Sequence, residues 1–192
     1  MKSVTINTST ELIETINVTG NGALNTTLGN GAVADNGDGT VKIPIAADIF
    51  GAESMVLIEG TTNYDGIRLI KSAPAGYINI AANFVAETVT TADTVKVAIA
   101  PGYPFELIEV EIHMSAVPTT PEDFSVTRDA GLGSNYDALI RKIDFSDELT
   151  DPSWIWVPSG RLIYPDPDDK LRVAWPNSDA KTYGLTLKYR RI

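Results

Sequence analysis

The chain of 192 residues has one histidine, His113, and no cysteine, so the chemistry open to it is narrow. His113 stands between Glu111 and Ser115 in the segment FELIEVEIHMS. Residues two apart on a strand point the same way, so Ser115, His113 and Glu111 could form a row of nucleophile, base and orienting acid. Pleat geometry alone produces the same row without any catalytic purpose, and the chain is read as a non-enzyme. A glycosidase needs two carboxylates flanking one bond. Among 25 acidic residues no such pair stands out. Zinc needs at least three good ligands, which one histidine without cysteine does not supply. Two acid-rich loops, Asp35-Asn36-Gly37-Asp38-Gly39 and the Asp166, Asp168, Asp169 cluster, raise calcium. The first departs from the alternating oxygens and later Glu of an EF-hand, and both read more simply as turns. Gly131-Leu132-Gly133 is too short for a dinucleotide loop, and no Walker pattern occurs. No cofactor or metal is expected.

Aromatic residues are the remaining handle. Trp154 and Trp156 share one face of the strand Trp154-Ile155-Trp156-Val157, and Tyr64 lies in the loop Gly60–Gly66. Exposed, these rings could meet a partner or stack on a sugar. Buried, the tryptophans are core or subunit interface, as large aromatics in a β-sandwich usually are.

The elements that must position these residues are strands. Alternation is cleanest at Ile108, Val110, Ile112 and Met114, whose neighbours Glu109, Glu111 and His113 face water. Leu171, Val173 and Trp175, then Leu185, Leu187 and Tyr189, repeat the pattern around the turn-forming Pro176–Ala180 and predict a closing hairpin. Val4–Ile6, Val41–Ile45, Met55–Ile58, Ile67–Ile70, Tyr77–Ile80, Asn83–Val85 and Thr94–Ala100 read as further strands, with an Asn-Gly/Asp-Gly hairpin turn at Asn36–Gly39. Tyr136–Phe145 fits a strand with an irregularity better than a helix. Ala46–Ser54 reads as a helical turn or a loop, and Thr19–Gly31 as irregular or weakly paired. Pro101-Gly102-Tyr103-Pro104 breaks regular pairing and marks a boundary. The expected architecture is all-β: a small N-terminal β-rich domain, residues 1–101, then a C-terminal jelly-roll-like antiparallel β-sandwich, residues 102–192.

A formal charge of −10 argues against nucleic acid, because phosphate contacts need clustered Lys and Arg. Hydrophobic residues make up 43%, enough for an ordinary globular core. The opening MKSVTINTST lacks the apolar run of a signal peptide, and no stretch approaches the roughly 18 apolar residues of a membrane span. A soluble product made in the cytoplasm is expected, including one that leaves the cell within an assembly.

Two stretches carry a resemblance. Ile58-Glu59-Gly60-Thr61-Thr62-Asn63-Tyr64-Asp65-Gly66 followed by an apolar strand is similar to a phrase in phage particle proteins. From about Phe105 to Tyr189, FELIEVEIHMS, SNYDALI and LRVAWPNSDAKTYGLTLKY resemble a C-terminal β-sandwich module of tailed-bacteriophage head-decoration, neck and tail proteins. The resemblance implies a virion structural protein, without catalytic residues, that contacts major capsid, neck or tail proteins. A homo-oligomer is expected with it, since symmetric assembly covers exposed sheet edges. The alternative is a receptor- or glycan-binding module of a fibre, using Tyr64, Trp154 or Trp156.

Overall fold

The alternating segments form strands in the computed structural model, which describes residues 12–192. In chain order they are β1 (Ile13–Gly20), β2 (Asn25–Thr27), β3 (Gly31–Ala32), β4 (Ala34–Asp35), β5 (Thr40–Pro44), β6 (Met55–Glu59), β7 (Gly66–Ser72), β8 (Tyr77–Ala81), β9 (Thr88–Val89), β10 (Thr94–Ile99), β11 (Phe105–Met114), β12 (Asp123–Asp129), β13 (Ala138–Asp144), β14 (Ser153–Trp156), β15 (Leu162–Tyr164), β16 (Lys170–Ala174) and β17 (Tyr183–Arg191). The expected strand at Val4–Ile6 lies outside the described residues. Among the described residues one α-helical turn occurs, α1 (Phe145–Glu148), capped by the Asp144 carboxylate, which accepts from Ser146 N at 2.9 Å. The fold is all-β with antiparallel sheets.

Two large sheets share the work. The five-stranded sheet runs β1-β17-β11-β14, with β15 following β14 along the same side of β11. The ten-stranded sheet runs β13-β12-β16-β10-β6-β7-β8-β5-β4, and β2 pairs with β10 beyond the end of β16. A small β3–β9 pair stands apart. Alternation explains the layering, since each strand offers one apolar row. Ile16 and Val18, Leu185 and Leu187, Val110 and Ile112 come from the smaller sheet. Val56 and Ile58, Val95 and Val97, Phe124 and Val126, Leu171 and Val173 come from the larger, and all join one buried cluster.

Strand pairing crosses residue 101 repeatedly. β1 pairs with β17 from Ile13↔Arg190 to Gly20↔Tyr183, and β10 pairs with β16 from Val97↔Val173 to Ile99↔Leu171. The expected division into 1–101 and 102–192 is therefore a corner between β10 and β11, and the two halves share both large sheets. The prolines there remove donors only from a five-residue connection, which needs none for pairing.

The closing hairpin is also corrected. β16 pairs with β12 and β10, whereas β17 pairs with β1 and β11. The two segments belong to different sheets, and the chain crosses between them at Trp175–Thr182. Their apolar rows face one another, with the Trp175 and Tyr183 rings edge to face at 5.9 Å. The corner is fixed by polar groups. Asn177, at φ 48°, donates from Nδ2 to Gly22 O at 3.1 Å and Lys181 O at 2.9 Å, and its Oδ1 accepts from Lys181 N. Asp179 accepts from the backbone and hydroxyl of both Thr119 and Thr120. Those hydrogen bonds, led by the Thr120 hydroxyl, hold its carboxyl well below the ordinary value.

Other expectations shift by smaller amounts. Thr19–Gly31 contains β2 and the start of β3. Asn83–Val85 is not a strand, and Ala46–Ser54 has no helical turn. β13 is a strand whose register against β12 shifts between Val126 and Thr127, the irregularity expected at Tyr136–Phe145.

Two outcomes test this architecture. Leu187→Ala, fully buried in the central strand of the smaller sheet, should lower stability in urea unfolding by about 2–5 kcal/mol. Asp179 has a depressed folded pKa, so its contribution is present above the unfolded value of about 3.9 and is lost as pH falls through the folded one. Asp179→Asn should therefore melt lower than wild type at pH 7 and lose less on acidification from about pH 4 downward.

Candidate functional site

His113 does make a Ser–His–Glu row, with a different serine. β14 lies beside β11 and pairs Ser153 with His113, so Ser153 Oγ and His113 Nδ1 share a hydrogen bond of 2.8 Å. His113 Nε2 meets Glu111 Oε1 at 2.8 Å. Ser115, the serine expected from the sequence, is turned to the other neighbour, where its Oγ accepts from Thr182 N. Glu111 is held below the ordinary carboxylate range by the His113 hydrogen bond first and by the Lys188 charge. The row lies on the open face of the smaller sheet with the His113 side chain 57% exposed. Among the described residues the imidazole stands open to water at this row.

Tyr64 is corrected from contact residue to clasp. It is 1% exposed. Its hydroxyl donates to Val85 O at 2.6 Å and accepts from Val85 N at 2.9 Å. Glu87 accepts from Thr62 N, Asn63 N and Asn63 Nδ2, while Asp65 accepts from Thr61 N and Oγ1 at 2.7 Å. The Gly60–Gly66 phrase is thus a loop locked onto Val85–Glu87. Only a backbone with positive φ closes it, at Gly60 (100°) and Gly66 (104°).

Trp154 and Trp156 are half-buried on the inner side of β14, their rings stacked at 6.4 Å. Trp154 also meets Phe124 and Phe145 edge to face at 5.4 and 5.8 Å. Both rings pack against the buried cluster and keep part of their surface exposed. Their strand neighbours Ile155 and Val157 point outward, 57% and 59% exposed.

The acidic loops resolve into turns. Asp35 accepts from Gly37 N, and Asp38 accepts from Thr40 N and Oγ1. Among the described residues no three of His, Cys, Asp and Glu converge so as to hold a metal ion. A shallow groove of about 280 Å³ lies between Asp65, Asp168, Asp169 and Glu59, with Lys170 at its side. Glu59 is occupied by Lys96, Lys170 and Arg172, at 2.9, 2.5 and 3.1 Å.

Asp169 anchors a loop that carries exposed apolar residues. It is fully buried, binds Arg128 Nη2 at 2.7 Å, and accepts from Gly131 N at 3.1 Å and Asp166 N at 3.2 Å. Asp137 accepts from Ala130 N, closing the loop between β12 and β13 from its other side. A side chain at Gly131 would lie 2.7 Å from Asp168 Cβ, so the loop sits directly on the Asp166–Asp169 turn. On this anchored loop and the strand after it, Leu132, Tyr136 and Leu139 are 70%, 61% and 60% exposed. The amino-acid sequence alone gives Asp129–Asn135 as loop and Tyr136–Phe145 as strand, with no sign that these side chains stay exposed. The available signal was two large apolar residues, Leu132 and Tyr136, within a Gly/Ser/Asn-rich turn.

The fold and these surfaces define an antiparallel all-β protein whose exposed apolar groups sit on loops and edges instead of in a cleft. Comparison with known proteins returned no matching family model, no matching curated protein and no matching solved structure. Asp169→Ala, which leaves Arg128 without its buried partner, should cost about 3–5 kcal/mol in urea unfolding, a loss a surface pair would not give.

Proposed function

We propose that the chain is a structural component of a tailed-bacteriophage particle, a decoration or stabilising protein that contacts head or neck proteins. The reading draws on the resemblance of Ile58–Gly66 and of the Phe105–Tyr189 region to such proteins. The observation that carries it in the structure is the Leu132, Tyr136 and Leu139 group. Apolar side chains this exposed mark protein contact surfaces, and the Asp169–Arg128 pair together with the Asp169–Gly131 hydrogen bond holds the loop that carries Leu132. Docking such a group on another protein removes apolar area from water without the cost of ordering a loose loop.

Purified chain mixed with phage heads or neck complexes lacking it should co-sediment with them. The Leu132→Asp/Tyr136→Asp variant should bind at least about tenfold more weakly with an unchanged melting temperature, since two apolar contacts of about 1 kcal/mol or more are lost. Wild-type chain that stays in the supernatant with every particle offered overturns the reading.

A further inference from the structure

We propose that β14 is the seam of a symmetric dimer, in which the β14 strands of two copies pair antiparallel about a two-fold axis through Ile155.

Three observations lead there. First, among the described residues β14 pairs with β11 alone, so one row of its backbone groups faces outward. The direction of each group follows from the ladder. Met114 N donates to Pro152 O at 2.7 Å, so Pro152 faces β11. Antiparallel alternation then turns Trp154 and Trp156 toward β11 as well, through Ile112↔Trp154 and Val110↔Trp156. Ser153, Ile155 and Val157 therefore hold their N–H and C=O groups outward.

Second, prolines set the register. Pro152 and Pro158 bracket the five residues Ser153–Val157, and Ile155 is their midpoint. A two-fold at Ile155 opposes Ile155 to the partner subunit's Ile155 and Ser153 to the partner subunit's Val157. Pro152 then meets the partner subunit's Pro158, where pairing stops. Each of the three opposed pairs exchanges two hydrogen bonds, using all the outward donors and asking nothing of the prolines. The outer face gains the Ile155 pair and Val157, 57% and 59% exposed in the single chain, and the half-buried Trp154 comes opposite the partner subunit's Trp156.

Third, charge selects a second copy as the occupant. The chain carries −10, and its acids repel a like copy over most of the surface. From Pro152 to Ser159 there is no charged residue. Exposed Asp151 precedes this window and exposed Arg161 follows it, so antiparallel pairing brings Asp151 of each copy toward Arg161 of the other at both ends. The β13 edge of the larger sheet, on the same side of the sandwich as β14, is guarded differently. β13 carries exposed Arg141 and Lys142 and a register shift, devices that keep an edge from pairing. β14 has none of them along its length.

The inference stands on the edge geometry and does not need the virion reading. Sedimentation velocity of the full chain from about 1 to 100 µM should show a dimer. Ile155→Pro deletes only an outward N–H, so it should be monomeric across that range with the wild-type circular dichroism spectrum. Ile155→Lys, which leaves every backbone group in place, should weaken the dimer at least about tenfold and covers the case in which the proline variant misfolds. A wild-type chain that stays monomeric at 100 µM overturns the proposal, as does a dimer unchanged in Ile155→Lys. Particle co-sedimentation by a monomeric wild type would also overturn the dimer, while leaving the virion reading standing.

Discussion

The placement of β17 between β1 and β11 is the constraint on which the smaller sheet depends. Its register binds residues from the beginning, middle and end of the chain into one ladder, with Ile16, Leu187 and Val110 side by side across three strands. β11 in turn carries β14 and β15, so the whole sheet hangs from this pairing. The apolar rows of these strands lie at 2% exposure or less at Ile16, Val18, Leu185, Leu187, Val110 and Ile112. At about 25 cal/mol per Å² of apolar surface, burial of rows like these is the main favourable contribution to the fold. A long-range pairing of this kind must first overcome the entropy of closing a very large loop.

The corner before β17 makes that placement attainable. The chain must leave one sheet at Ala174 and enter the other at Tyr183, and the intervening backbone would have unsatisfied groups without help. Asn177 supplies it inside the corner and reaches Gly22 on the first connection, while Leu24 N donates to Trp175 O. Asp179 and Glu122 tie the outer side of the corner to Thr119–Glu122. The N-terminal segment is therefore part of the closure, and Leu24 also accepts from Val97 N to join the line of β16 to β2 along β10.

The large negative charge is managed locally. Burial pushes Glu59 up, but hydrogen bonds from Lys170 and Lys96 and the Arg172 charge outweigh it and hold its carboxyl low. Glu106, 5% exposed, accepts from Arg161 and Arg190, and Lys188 serves Glu109 and Glu111. Lys96 lies on the strand beside Glu59, and Lys188 on the strand beside Glu109 and Glu111, while Lys170 and Arg172 reach Glu59 from β16 on the far side of β10. The neutral window at Ser153–Val157 is distinctive against that background.

The amino-acid sequence by itself determined the strands, the buried faces and most turns, because period-two alternation and the positive-φ glycines act over a few residues. It also limited the chemistry, through one histidine and no cysteine. Partner choice was beyond it. Leu171–Trp175 and Leu185–Tyr189 look the same in sequence whether they pair edge to edge or face each other across a core, since either way one row is apolar. His113 carried no sign of Ser153, and Tyr64 none of Val85, because those contacts arise only when β14 and the Val85–Glu87 segment are brought alongside. Tertiary structure decided which strands became neighbours, which aromatic rings were covered, and that among the described residues the short, uncharged β14 was left at an open edge. The physical reason is that burial rewards any matching apolar rows equally, while specific hydrogen bonds and corners choose among them.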